Sequence, residues 1–287
     1  MVDIIHGATG AQGSPVLSAL TSAGRIAIAA VRHPETVPAG IAARQVDLAS
    51  VDSLVSTYEG AEGVFVHLPM GAPEVAAAQA QAIVEAVTRA RPGRVVISTS
   101  GQIVDQPGSP LQAPADSPIM TLIDGVTGSG VPTAVVTPRL YLENLLLPVI
   151  LASAREEGVL RYPLPASFPV SWSSHLDVAD VVARLLTDAS ITGTVAVGHL
   201  PGLTGPDLAA AFSSHLGREV RFEGITPEAF GDLITPLFGP AAAPVVELYR
   251  ALNAQDGNTI AEDSSAQELL GLRPRSIGQW LEDLAVS

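Results

Sequence analysis

Three glycines stand closely spaced near the amino end, in Gly7-Ala8-Thr9-Gly10-Ala11-Gln12-Gly13. They follow the apolar run Asp3-Ile4-Ile5-His6 and precede a helical pattern from Ser14 to Ala23, with Pro15 in its first turn, where a missing N–H costs nothing. Strand, glycine turn and helix in that order make a cradle for phosphate. Gly7 permits the tight turn, Gly10 lets the backbone approach a pyrophosphate, and Gly13 lets the helix sit against the sheet. The helix start then offers amide N–H groups and a partial positive charge. Ala8, Thr9 and Gln12 flank that cradle.

Arg32 follows about twenty residues on, at the end of the second strand, in Val31-Arg32-His33-Pro34. A carboxylate there would bind a ribose 2′-hydroxyl and select NAD, whereas a guanidinium suits a 2′-phosphate. NADPH is therefore the expected cofactor. Other cofactor-side candidates sit where later strands end. Asp47 and Leu48 are placed beside an adenine, and His67, Leu68 and Pro69 along the cofactor. Ser98 and Thr99 fall near the nicotinamide, with Ser100 beside them as a hydroxyl that could orient a carbonyl substrate. His67 is also a candidate acid or substrate ligand.

The elements needed to hold these residues are legible as alternating strands and helices. Strands are expected at 26–32, 43–48, 63–68, 94–99 and 133–138, and helices at 51–58 and 73–90. The strands are nearly continuous apolar runs, as in Val95-Val96-Ile97, which suits a parallel sheet covered on both faces. The expected fold is α/β, a doubly wound Rossmann-type sheet with a smaller mixed C-terminal lobe. The cofactor domain is expected over 1–150 with a returning segment near 175–200, and the substrate lobe over 151–287. A Pro/Ser/Gly/Gln stretch from Gly101 to Pro118 is read as a loop, a ligand edge or a mobile surface segment. A helix is expected near 141–157, and others at 175–187, 206–215, 227–237, 243–252 and 276–285.

Composition narrows the chemistry. The 287 residues contain no Cys, which excludes disulfides and thiolate catalysis. All 15 basic side chains are Arg, so neither a lysine Schiff base nor a Tyr-Lys pair can form. The net charge of −14 argues against nucleic-acid binding. The six His residues are scattered, without metal-ligand spacing. No run of about 18 uninterrupted apolar residues suggests a membrane span, and the first residues lack a signal-peptide layout, so a cytoplasmic location is expected.

The sequence resembles the NmrA-like family of atypical short-chain dehydrogenases. The likeness runs through the glycine loop, Val31-Arg32-His33-Pro34-Glu35 and Ser129-Gly130-Val131-Pro132. It continues through Thr137-Pro138-Arg139-Leu140-Tyr141-Leu142-Glu143-Asn144 and His175-Leu176-Asp177-Val178-Ala179-Asp180. The order of Pro138 and Arg139 and a missing glycine depart from the family pattern. The C-terminal helices, through Leu248-Tyr249 and Leu269-Leu270-Gly271, are most similar to the quinone and triphenylmethane reductase branch. The resemblance implies NADPH binding in the first domain, with Pro138 at the cofactor, and it implies Tyr141 and Asn144 as catalytic candidates near the nicotinamide end. A small apolar substrate would be lined by Met70, Tyr141, Leu145, Leu164, Phe168 and Trp172.

Ordinary short-chain dehydrogenases use a Tyr-Lys pair to pass a proton. Without Lys, hydride transfer to an already electrophilic acceptor, a quinone or conjugated dye, is the expected activity. The alternative is a non-enzymatic NADP(H)-binding redox sensor acting through a protein partner. The apolar stretch from Leu145 to Leu151 leaves core and homodimer interface both open.

Overall fold

The computed structural model describes residues 2–286. In chain order its elements are β1 (Val2–His6), α1 (Gly13–Ser22), β2 (Ile26–Val31), β3 (Ala43–Gln45), α2 (Val51–Tyr58), β4 (Gly63–His67), α3 (Pro73–Ala90), β5 (Val95–Ser98), α4 (Pro118–Gly128) and β6 (Thr133–Pro138). They continue as α5 (Pro148–Glu156), β7 (Val159–Tyr162), α6 (His175–Thr187), β8 (Gly193–Val197), α7 (Gly205–Leu216), β9 (Arg221–Gly224), α8 (Pro227–Phe238), α9 (Ala242–Asn253), α10 (Ala266–Leu270) and α11 (Ile277–Asp283).

The chain divides into two units. Unit 1 comprises Met1–Pro138, His175–Val197 and Asp263–Leu272, and unit 2 comprises Arg139–Ser174, Gly198–Glu262 and Arg273–Ser287. The first boundary falls at Pro138, not at residue 150, because the chain leaves the sheet as soon as β6 ends. Unit 1 takes the chain back at α6 and β8, and again at 263–272.

Unit 1 is a seven-stranded sheet in the order β3-β2-β1-β4-β5-β6-β8. Every pairing is parallel. The order reverses between β1 and β4, and in such sheets the crevice at the carboxyl ends of those strands holds ligands. Helices pack over the strands, so both sheet faces are covered and the strands carry no polar alternation. Ile4, Ile5, Val64, Phe65, Val66, Val95, Val96 and Ile97 are all buried.

Local chemistry explains the helix starts. Ser50 caps α2 by accepting from the Ser53 amide, and Ser117 caps α4 from the Met120 amide. Pro73 opens α3, where its absent N–H is harmless. One buried charge anchors the amino end of β1. Asp3 is fully buried and takes a bidentate pair from Arg25, at 2.6 and 2.9 Å. A Cβ at Gly63 would lie 2.5 Å from the Asp3 carboxylate, so that glycine makes the room for it.

Unit 2 contains the parallel pair β7-β9. Around β7 stands an aromatic cluster of Tyr162, Trp172, Phe230 and Tyr249, with ring centroids 5.3–5.9 Å apart. The Tyr162 and Tyr249 hydroxyls hydrogen-bond each other. Trp280 donates its indole N–H to Glu143 at 3.1 Å, tying α11 to the unit.

Two expectations are corrected here. The single helix expected over 141–157 is a 3-10 turn, Leu142–Leu146, followed by α5, because Pro148 needs an extended residue before it. The third strand ends at Gln45 and not at Leu48, because the Asp47 side chain accepts from the Ala49 amide and turns the chain. Helix α4 directly follows the 101–118 loop and was not foreseen. The stretch Pro227–Asn253 is helical, long and apolar enough by length and composition to cross a membrane. Glu228, Asp232, Glu247 and Arg250 interrupt its polarity pattern, and Gly239–Ala241 breaks it into α8 and α9.

Candidate functional site in unit 1

The glycine loop joins β1 to α1 at the reversal of strand order. Gly7 has a φ of +60°, which a side chain rarely tolerates. The Gly10 amide donates to the Gly7 carbonyl at 2.8 Å and closes the turn. At Gly13 a Cβ would stand 2.3 Å from the Gly7 oxygen and 2.5 Å from the His6 oxygen, so helix and turn meet backbone to backbone. A Cβ at Gly10 would meet only the Gly7 oxygen, at 3.2 Å, among the described residues outside its chain neighbours, and Thr9, Gly10 and Ala11 are exposed. No side chain caps α1 and its first turn carries no carboxylate, which suits an arriving anion.

His67, the last residue of β4, lies over this loop. A Cβ at Gly7 would sit 2.5 Å from His67 Nε2, so the imidazole fills the space the glycine leaves. That nitrogen is buried and has no hydrogen-bond partner among the described residues. Burial lowers the His67 pKa, opposed by a hydrogen bond with the Leu68 backbone. The ring is neutral at physiological pH, which suits a hydrogen-bonding contact and argues against the expected role as an acid.

Two further imidazoles share the neighbourhood. His6 ends β1, is buried, and pairs its Nε2 with the Tyr58 hydroxyl at 2.9 Å. Burial and then the nearby His67 hold its pKa at about 3. His175 opens α6, where burial and then His67 hold the pKa at about 4. The sequence reading did not single out His6 or Tyr58. A signal for His6 existed, since it ends β1 as His67 ends β4, and the two strands are neighbours.

The ends of β4, β5 and β6 bring other expected residues to the same edge. Ser98 and Thr99 are fully buried, Leu68 and Pro138 are buried, and Ser100 is partly exposed. Gln12 reaches from the start of α1 to β5, accepting from Ser98 Oγ at 2.8 Å and donating to Ser100 Oγ at 2.9 Å. The loop after β5 is pinned, since Thr137 donates to Asp105 at 3.2 Å and the Ala113 amide to the Ile103 carbonyl at 2.7 Å. Met70 is 93% exposed beyond β4.

On the adenine side, Arg32 is exposed past the end of β2. Its carbonyl accepts from Gln45, and its guanidinium makes no ion pair among the described residues. His33 instead contacts Glu35 at 3.0 Å. Asp47 is exposed with one carboxylate oxygen committed to its own turn, and Leu48 packs partly against the unit-1 core.

The remaining expected residues belong to unit 2. Tyr141 stands at the start of the 3-10 turn. Asn144 lies within that turn, its amide donating to the Tyr141 carbonyl at 3.1 Å. Leu145, Leu164, Phe168 and Trp172 are all buried. Leu145 and Ile150 are likewise buried, which favours core over interface for those two side chains.

A parallel Rossmann-type sheet with a glycine loop at its switch point defines a nucleotide-binding class of protein. The model of the NmrA-like family matches residues 3–281, and the chain belongs to that family. It is 28% identical over 291 residues to an NAD(P)H azoreductase of Xenophilus azovorans, spanning 92% of this chain and 96% of the relative. Two solved structures share the fold. Citrobacter triphenylmethane reductase complexed with NADP(H) has a TM-score of 0.80 at 18% identity, with 98% of this chain and 99% of that one covered. An Escherichia coli NADPH-dependent quinone oxidoreductase complexed with NADPH has a TM-score of 0.78 at 20% identity, with 99% and 100% covered.

Proposed function

We propose that this protein is an NADPH-dependent oxidoreductase that reduces a small, apolar, electrophilic acceptor such as a quinone or conjugated dye, without a Tyr-Lys pair. The observation that carries the reading is the open face of Gly10 in front of an uncapped α1, at the switch point of the sheet. The azo-reducing relative, similar over nearly its whole length, supports reductase chemistry.

The residues fit the cofactor. Backbone amides of the glycine loop would hold the pyrophosphate, and the exposed Arg32 guanidinium would take the 2′-phosphate. The neutral His67 would offer a hydrogen bond beside the loop. The cofactor, when bound, supplies hydride from its dihydronicotinamide. The protein's share is alignment and exclusion of water, which suffices for an acceptor that is already electrophilic.

Titration with NADPH and NADH, read by nucleotide fluorescence, followed by consumption assays on quinones and azo dyes, tests this reading. Turnover with NADPH supports it. Tight binding without turnover on any acceptor moves the function to a redox sensor. Replacing Arg32 by Ala should weaken NADPH binding about 10- to 100-fold, equivalent to about 1.5–3 kcal/mol for a lost charged contact. NADH binding should hardly change, and an equal loss for both nucleotides would remove Arg32 from the phosphate site.

A further inference from the structure

We propose that Gln12 is a positioning residue, whose side-chain amide aims the Ser100 hydroxyl so that it donates a hydrogen bond to the heteroatom of the substrate that gains charge on reduction. This rests on the reductase reading above. Gln12 occupies the position before α1, where a polar side chain ordinarily caps the helix, yet it makes no capping bond. It spans instead to Ser98 and Ser100, some ninety residues away in sequence and one strand beyond β4 in the sheet.

Burial decides which way round the amide lies. Ser98 is fully buried and its oxygen already accepts from the Ser100 amide at 3.3 Å. With Gln12 Oε1 facing it, the Ser98 proton is used and nothing buried is left unmade. With the amide reversed, Ser98 would accept twice and bury an unpartnered O–H, which is costly. Nε2 therefore faces Ser100 and can only donate. The Ser100 oxygen accepts, and its own proton remains for a ligand at the carboxyl end of β5.

The backbone supplies an independent observation. Ser100 has a φ of +56°, a left-handed conformation disfavoured for any residue with a side chain. Glycine would sit there without strain. A strained position that keeps a hydroxyl is a sign that the hydroxyl is used. In the proposed step, hydride brings two electrons and one hydrogen to the acceptor, negative charge gathers on its oxygen or nitrogen, and Ser100 hydrogen-bonds that atom. The completing proton comes from solvent, and Ser100 ends the step unchanged.

Two variants test this with a 1,4-naphthoquinone as acceptor and saturating NADPH. Ser100→Gly should melt about 2 °C higher, through relief of the left-handed strain. It should bind NADPH within about threefold of wild type, while kcat falls about 10- to 100-fold, as for loss of a single charge-stabilising donor. Gln12→Glu keeps the size of the side chain but presents two acceptors, so Ser100 turns its proton inward. Its kcat should fall similarly at pH 7 and recover towards pH 5.5 as the new carboxyl gains a proton to donate, a recovery that Ser100→Gly lacks. A Ser100→Gly enzyme with wild-type kcat, or a Gln12→Glu enzyme with wild-type kcat at pH 7, overturns the proposal and leaves the reductase reading standing. A wild-type protein that binds NADPH but reduces no acceptor ends both.

Discussion

Replacing Gly13 by Ala should abolish useful cofactor binding and cost the fold about 3 kcal/mol. The reason lies in the backbone rather than in any side chain. The added Cβ would stand 2.3 Å from the Gly7 oxygen and 2.5 Å from the Gly7 carbon and the His6 oxygen. None of these atoms can rotate away, so α1 must withdraw from the turn. Withdrawal moves the helix amides from the place where a pyrophosphate would sit. Two charge-assisted bonds lost at about 1.5 kcal/mol each weaken binding on the order of 100-fold. Urea unfolding and NADPH titration on the same sample check both parts. Normal affinity in the Ala variant would mean that the pyrophosphate lies elsewhere.

The second large effect is on acid stability. His6 and His175 are held neutral by burial, with pKa values of about 3 and about 4 against the usual 6.5. Between those values the unfolded chain binds protons that the folded chain refuses. Stability is therefore complete above about pH 6.5 and falls as the pH drops towards 4. At pH 5 each imidazole accounts for about 2 kcal/mol of loss, so about 4 kcal/mol together. His67, close to both, joins the same trend because its pKa is also lowered. The urea midpoint should drop sharply between pH 7.5 and pH 5, and His6→Gln should flatten the slope. A midpoint unchanged over that range would mean that these rings are hydrated in the fold.

The glycine loop was legible because its logic is local. Seven consecutive residues, between an apolar run and a helical pattern, specify turn and close approach together. The parallel sheet was legible for a related reason, since its central strands are apolar on both faces. What was hidden depends on strand order. Nothing near Gln12 says that its amide ends between Ser98 and Ser100, nor that His67 will cover Gly7. Both contacts arise from placing β4 beside β1 and β5 one strand further on. Other misses were local signals outweighed by composition. Pro148 marked the break after the 3-10 turn, yet the leucines around it read as one helix. Strand β7 sits beside Pro163, and its pairing is completed only by β9, far along the chain.

The interleaving of the two units has a consequence for synthesis. β6 pairs along its outer side with β8, whose residues Gly193–Val197 leave the ribosome well after Pro138. Until then the nascent sheet carries a bare, apolar, hydrogen-bonding rim, the kind of edge on which chains aggregate. A fragment ending at residue 150, which looks like a tidy excision of the cofactor domain, would keep that rim permanently. Segment 263–272 arrives later still and lays the Ser264 carbonyl on the Ala196 amide, closing the far side of β8. The first domain of this protein is thus among the last parts of it to be finished.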